Sequence, residues 1–87
     1  MPQWTQDEAI AFECACEAIT HMMAIQSRQI YEEMKKLEPD VFRVAEFRAE
    51  RSRLHQERLA MHVDNHDEVA RIRTEYGAII RARREKR

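Results

Sequence analysis

Between Gln3 and the C-terminus the chain carries one proline, Pro39, and one glycine, Gly77. These residue types interrupt helices more than any others, so residues 3–38 and 40–76 form two long stretches with no strong breaker. Abundant Ala, Glu, Arg, Gln and Met favour helix, and so little Gly and Pro argues against sandwiches, barrels and disorder. The fold class expected is therefore all-α, a small antiparallel helical bundle. At 87 residues, 1–87 is read as a single helical domain with one core. No apolar run approaches the ~20 residues that a membrane span needs, so no membrane partner is expected. Met1-Pro2-Gln3-Trp4 has neither a basic nor an apolar leader region, which points to a cytoplasmic protein.

Trp4-Thr5-Gln6-Asp7-Glu8 reads as a helix start, with Thr5 and Glu8 spaced as a capping box and Trp4 placed to staple onto Ala9 or Ile10. A stripe of Phe12, Cys16, Ile19, Met23, Ile30, Met34 and Leu37 follows at helical spacing. Ala15, Ala18, Met22 and Ile25 add a second stripe beside it, so this part of the first helix needs two neighbours. Pro39 disfavours helix at Glu38, which ends the first helix near residue 37. The second begins near Asp40, and its apolar positions thin to Phe47, Leu54 and Met61. Asp64-Asn65-His66-Asp67 is a run of weak helix formers in which Asp64 and Asp67 can cap a new helix. Val69, Ile72, Tyr76, Ile79 and Ile80 then rebuild an amphipathic face.

Two architectures satisfy this pattern. The favoured one has helices over about 5–37, 40–63 and 66–84, the third covering the doubled face of the first, with 82–87 a frayed basic tail. The alternative is a two-helix hairpin with one long second helix, dimerising into a four-helix bundle. A turn centred on residue 39 pairs position i of the first helix with position 78 − i of the second.

Chemistry-bearing patterns are sparse. The i, i+4 pair His62 and His66, with Cys16 brought near residue 62, is a weak candidate metal site. Cys14 and Cys16 are two apart on a helix and cannot bridge each other; both are read as small buried apolar residues. His21 with Glu17, and His55 with Glu57, lack a plausible nucleophile nearby, and one glycine makes no phosphate loop. No catalytic residue and no cofactor is therefore expected.

Charge is distributed unevenly. Residues 1–43 hold four basic and eight acidic side chains, whereas 44–87 hold eleven and eight. Opposite halves suit an antiparallel fold. The function expected is a non-enzymatic protein-interaction module: a small adaptor, antagonist or regulator, such as a phage- or plasmid-type inhibitor of a host complex. Its helical surface would consist of Met22, Ile25, Tyr76, Ile79 and Ile80, rimmed by Arg73 and Arg83. A homodimer is an open alternative. The competing function is nucleic-acid binding by a dimeric hairpin through Arg48, Arg51, Arg58, Arg73, Arg81, Arg83 and Arg84, against which stand a pI near 6.4 and interleaved glutamates.

Overall fold

The structure is a computed structural model that describes residues 4–85. It is an all-α bundle of three helices: α1 (Gln6–Met34), α2 (Val41–Ala60) and α3 (His66–Glu85). Thr5 caps α1 as its sequence spells out. Its hydroxyl accepts from the Glu8 N–H at 3.1 Å, and the Glu8 carboxylate accepts from the Thr5 N–H at 2.9 Å.

The doubled apolar face of α1 receives both neighbours. Ala15, Ile19 and Met22 form the buried centre with Leu54 and Met61 from the α2 end, and Val69, Ile72, Tyr76 and Ile80 from α3. Ala11, Phe12, Cys16, Ala18, Met23 and Ile25 pack around them, half-buried. α1 is thus the axis of the molecule. It packs against α2 and α3, whereas no Cα of α2 comes within 8 Å of α3. The result is a rod of 55 × 27 × 18 Å.

Several boundaries differ from the expected ones. α1 stops at Met34 rather than near residue 37, because the turn is organised by Glu33. Its buried carboxylate accepts from the Asp40 N–H at 3.0 Å and from Lys36 Nζ at 2.9 Å. Asp40 then caps α2, accepting from the N–H groups of Phe42 and Arg43 at 3.0 and 3.2 Å. Met34 and Leu37 therefore leave the stripe and are exposed. The second break spans 61–65 rather than 64–67. Neither Asp64 nor Asp67 provides the expected cap; Asn65 does, its side-chain oxygen accepting from the Glu68 N–H at 3.3 Å. Residues 82–85 of the expected tail belong to α3, and 86–87 lie outside the described residues. Cys14 is exposed and Cys16 half-buried, so the cysteines are not the buried pair expected; both are free thiols.

The Asp40 N–H and the Lys36 ammonium hold the Glu33 carboxyl below the ordinary glutamate value of 4.5, in that order of importance. A carboxylate with a lowered folded pKa stabilises the fold above its unfolded pKa and loses that contribution as pH falls through the folded value. The Glu33→Gln variant is therefore expected to be less stable than the parent at pH 7, and the gap is expected to close at about pH 2. Urea midpoints at the two pH values check this; an equal gap at both would contradict it.

Gly77, inside α3, needs no special backbone: its φ is not positive, and a Cβ there would meet only the flexible Arg81 guanidinium at 3.3 Å. Gly77→Ala is expected to raise unfolding stability by about 0.5–1 kcal/mol, read from thermal melts.

Candidate interaction surfaces

Three regions of the surface have features beyond a solvated helical face. The first is the end of the α1–α2 hairpin. α3 terminates alongside Arg28 and Glu32 of α1, so the hairpin turn projects beyond it. On that projection Tyr31, Met34, Leu37, Val41 and Phe42 are all exposed, Phe42 at 79% and Leu37 completely. Their mixed setting includes Lys35, which stacks over the Tyr31 ring at 5.0 Å, and Arg43, which covers Phe47 at 5.6 Å. Scattered exposed apolar residues are ordinary, and Trp4, Ile10, Leu59 and Ile79 are others, but five large ones lie close together in sequence around this one turn.

The second is an open groove between α1 and the end of α3, with a volume near 630 Å³. Ala24, Ile25 and Ile80 line its apolar part, and Arg28, Arg83 and Arg84 its rim. Arg28 is tied to Glu32 at 3.2 Å, while Arg83 and Arg84 have no carboxylate partner among the described residues. The third is a polar bridge between α2 and α3. Glu57 accepts from Arg71 at 2.9 Å and from the Tyr76 hydroxyl, and Arg71 also pairs with Glu68 and with Glu75 at 2.8 Å. Arg53 pairs with Glu50 at 2.6 and 2.8 Å, and the chain of contacts joins helices whose backbones do not meet. Burial and the Glu57 hydrogen bond push the Tyr76 phenol pKa up, so it stays a donor.

The residues expected to form a partner surface divide between these settings. Met22, Tyr76 and Ile80 belong mainly to the core, where they serve α3 docking and offer little to a partner. Ile25, Ile80 and Arg83 do meet at the α1–α3 groove. Ile79 is 43% exposed, and Arg73 is exposed. The hairpin-end cluster was missed because Met34 and Leu37 continue a helical stripe and Val41 and Phe42 begin another. Only the turn geometry shows that both stripes overrun the core.

The arginines proposed for nucleic acid do not assemble on one face. Arg58 borders a recess with Phe12, Cys16 and Thr20, and Arg51 donates to Ser27 at 2.9 Å. Arg83 and Arg84 border Ile25 and Arg28 instead. Cys16 and Ile25 are nine residues apart, about two and a half turns, so these groups flank opposite sides of α1. Arg73, Arg81 and Arg84 are exposed on α3, and Arg48 on α2.

The metal candidate also comes apart. Cys16 lies beside Arg58 rather than His62, and burial raises its thiol pKa while Arg58 partly offsets this. His62 sits in the 61–65 connection, and His66 Nε2 lies 2.5 Å from the Glu8 carboxylate on α1. Among the described residues no three His, Cys, Asp or Glu side chains are grouped to hold a metal ion, and no helix is long and apolar enough to cross a membrane. Comparison of the chain with protein-family models, curated proteins and solved structures found no match in any of the three.

Proposed function

We propose that this chain is a non-enzymatic protein-interaction module, an adaptor or antagonist that presents the end of its α1–α2 hairpin to a protein partner. The observation that carries this reading is the cluster of Tyr31, Met34, Leu37, Val41 and Phe42, exposed where no other part of the described chain covers them. An interface core rich in aromatic and aliphatic side chains with a charged rim is the usual composition of a protein contact, and Glu32, Lys35, Lys36, Glu38 and Arg43 supply such a rim. The Glu33 carboxylate ties Lys36 and the Asp40 N–H together beneath the cluster, and a turn pre-ordered in this way would lose less entropy on binding.

The test is affinity capture from the source lysate with and without nuclease, using the parent, a Leu37→Asp/Phe42→Asp variant and an Arg83→Glu/Arg84→Glu variant. A stoichiometric protein that survives nuclease, is lost with the hairpin-end variant and is retained by the arginine variant supports the reading. Capture that disappears with nuclease, or that depends only on Arg83 and Arg84, replaces it with nucleic-acid or groove recognition.

A further inference from the structure

We propose that α3 exchanges between two copies of this chain, with residues 61–65 as the hinge, giving a dimer in which α2 and α3 join as one continuous helix. The proposal goes beyond hairpin-end recognition and rests on different residues.

The first observation is how α3 is held. It packs along α1 only, and its link to α2 consists of side chains reaching Glu57 and Arg53. Released from α1, α3 would lose no backbone packing against α2. The second is the hinge itself. His62-Val63-Asp64-Asn65 contains no proline or glycine and no positive φ, so nothing in it forbids helix. The helix is interrupted by the extended ψ of 142° at Met61, and the turn is closed by the Asn65 N–H donating to the His62 carbonyl at 3.1 Å.

The third observation is phase. Two helices joined by a reversing loop have independent rotational settings. Yet at about 100° per residue, Leu54, Met61, Val69, Ile72, Tyr76 and Ile80 fall within an arc of about 100° on a continuous helix. Every one of these side chains is buried, and the stripe passes through the hinge in step. A continuous helix over 41–85 would be about 67 Å long. That overruns the roughly 43 Å of α1 by about 24 Å, most of the roughly 30 Å of α3.

Direction completes the argument. α3 runs parallel to α1: His66 at its start meets Glu8, and Arg83 and Arg84 at its end meet Arg28 and Glu32. An overrunning α3 would find the same parallel surface on a second copy turned end for end, and the Ala15–Ile19–Met22 face there would receive Val69, Ile72 and Tyr76 unchanged. Such exchange is a low-cost route to a closed twofold dimer, because each interface already exists in the single chain. The dimer would hold two hairpin ends at opposite tips of one long rod, making partner binding bivalent.

The experiment refolds the chain from denaturant at about 5 µM and about 0.5 mM and measures mass by light scattering after size exclusion. Isotope-filtered NOEs between Ile19 and Ile72 methyls in a dimer of mixed labelling then report which chain α3 packs on. A dimer is expected after refolding at the higher concentration, with Ile19–Ile72 contacts between chains. Val63→Pro, which bars a continuous helix, is expected to cut the dimer at least about tenfold; Asn65→Ala, which removes the α3 cap yet permits the helix, is expected to raise it. A chain that stays monomeric at about 0.5 mM overturns the proposal. So does a dimer with only intrachain Ile19–Ile72 contacts, or one that Phe42→Asp abolishes and Val63→Pro leaves intact.

Discussion

Replacing Ile72 with Ala is expected to lower unfolding stability by about 3 kcal/mol and the melting midpoint by roughly 12–24 °C. Ile72 is completely buried in the α1–α3 contact, alongside Ile19 and Leu54, which are equally buried. Truncating such a side chain loses its transfer free energy and leaves a cavity that the surrounding helices cannot fully close. In a domain whose total stability is of the order of 5–15 kcal/mol, that is a large share. The same truncation at Ile79, which is partly exposed on the same helix, is expected to cost well under half as much. Urea denaturation of the two variants gives the comparison; equal losses would mean that Ile72 does not occupy the core described here.

At the hairpin end the opposite separation is expected. The Leu37→Asp/Phe42→Asp variant should leave the melting midpoint within a few degrees of the parent and weaken partner binding at least 100-fold. Both side chains already face solvent, so little is lost from the folded chain. In a complex, each apolar side chain fully buried contributes about 1.5–3 kcal/mol, and 1.4 kcal/mol is a factor of ten in Kd. Losing two of them, and bringing two carboxylates into an apolar contact, exceeds that hundredfold threshold comfortably. A captured partner titrated against both forms by calorimetry measures the effect. Affinity unchanged by the double substitution would remove the hairpin end from the interface.

The two variants probe apolar residues that are buried and apolar residues that are exposed, and local sequence alone does not make that division. Leu37 and Leu54 are the same residue type, each at helical spacing from its neighbours, yet one is fully exposed and the other fully buried. Legibility was highest where the physics is local. The Thr5–Glu8 capping box depends on four consecutive residues, and the structure has it as spelled. The doubled stripe through Ala15, Ile19 and Met22 required two neighbours, and α2 and α3 are those neighbours. Legibility failed where a side-chain-to-backbone hydrogen bond outweighs the apolar spacing. Glu33 reads as one more charged residue near a helix end, but its carboxylate bonds the Asp40 N–H across the turn and shortens α1 to Met34. Asn65 rather than Asp64 caps α3, because it directly precedes His66, where the helix starts, and its side-chain oxygen reaches the free N–H of Glu68.

The residues expected to face a partner followed the same pattern. Met22, Tyr76 and Ile80 look like an exposed apolar face when each helix is considered alone, and the packing of α3 on α1 removes them from solvent. The arginines of α2 and α3 look like one basic face on a continuous helix, and the reversal at 61–65 separates them to opposite flanks of α1.

By itself, the sequence determined that this chain is mostly helical, where its first helix begins, that a turn lies around Pro39, and which side of α1 is buried. These follow from backbone propensity, capping and periodicity, which act over a few residues and are written in consecutive letters. Only the tertiary structure decided which way the chain goes after Met61, which apolar side chains are spared from the core, and which charged groups meet. Those depend on the relative placement of helices, where a small change in turn geometry moves a whole face into or out of contact, and single-helix spacing carries no information about it.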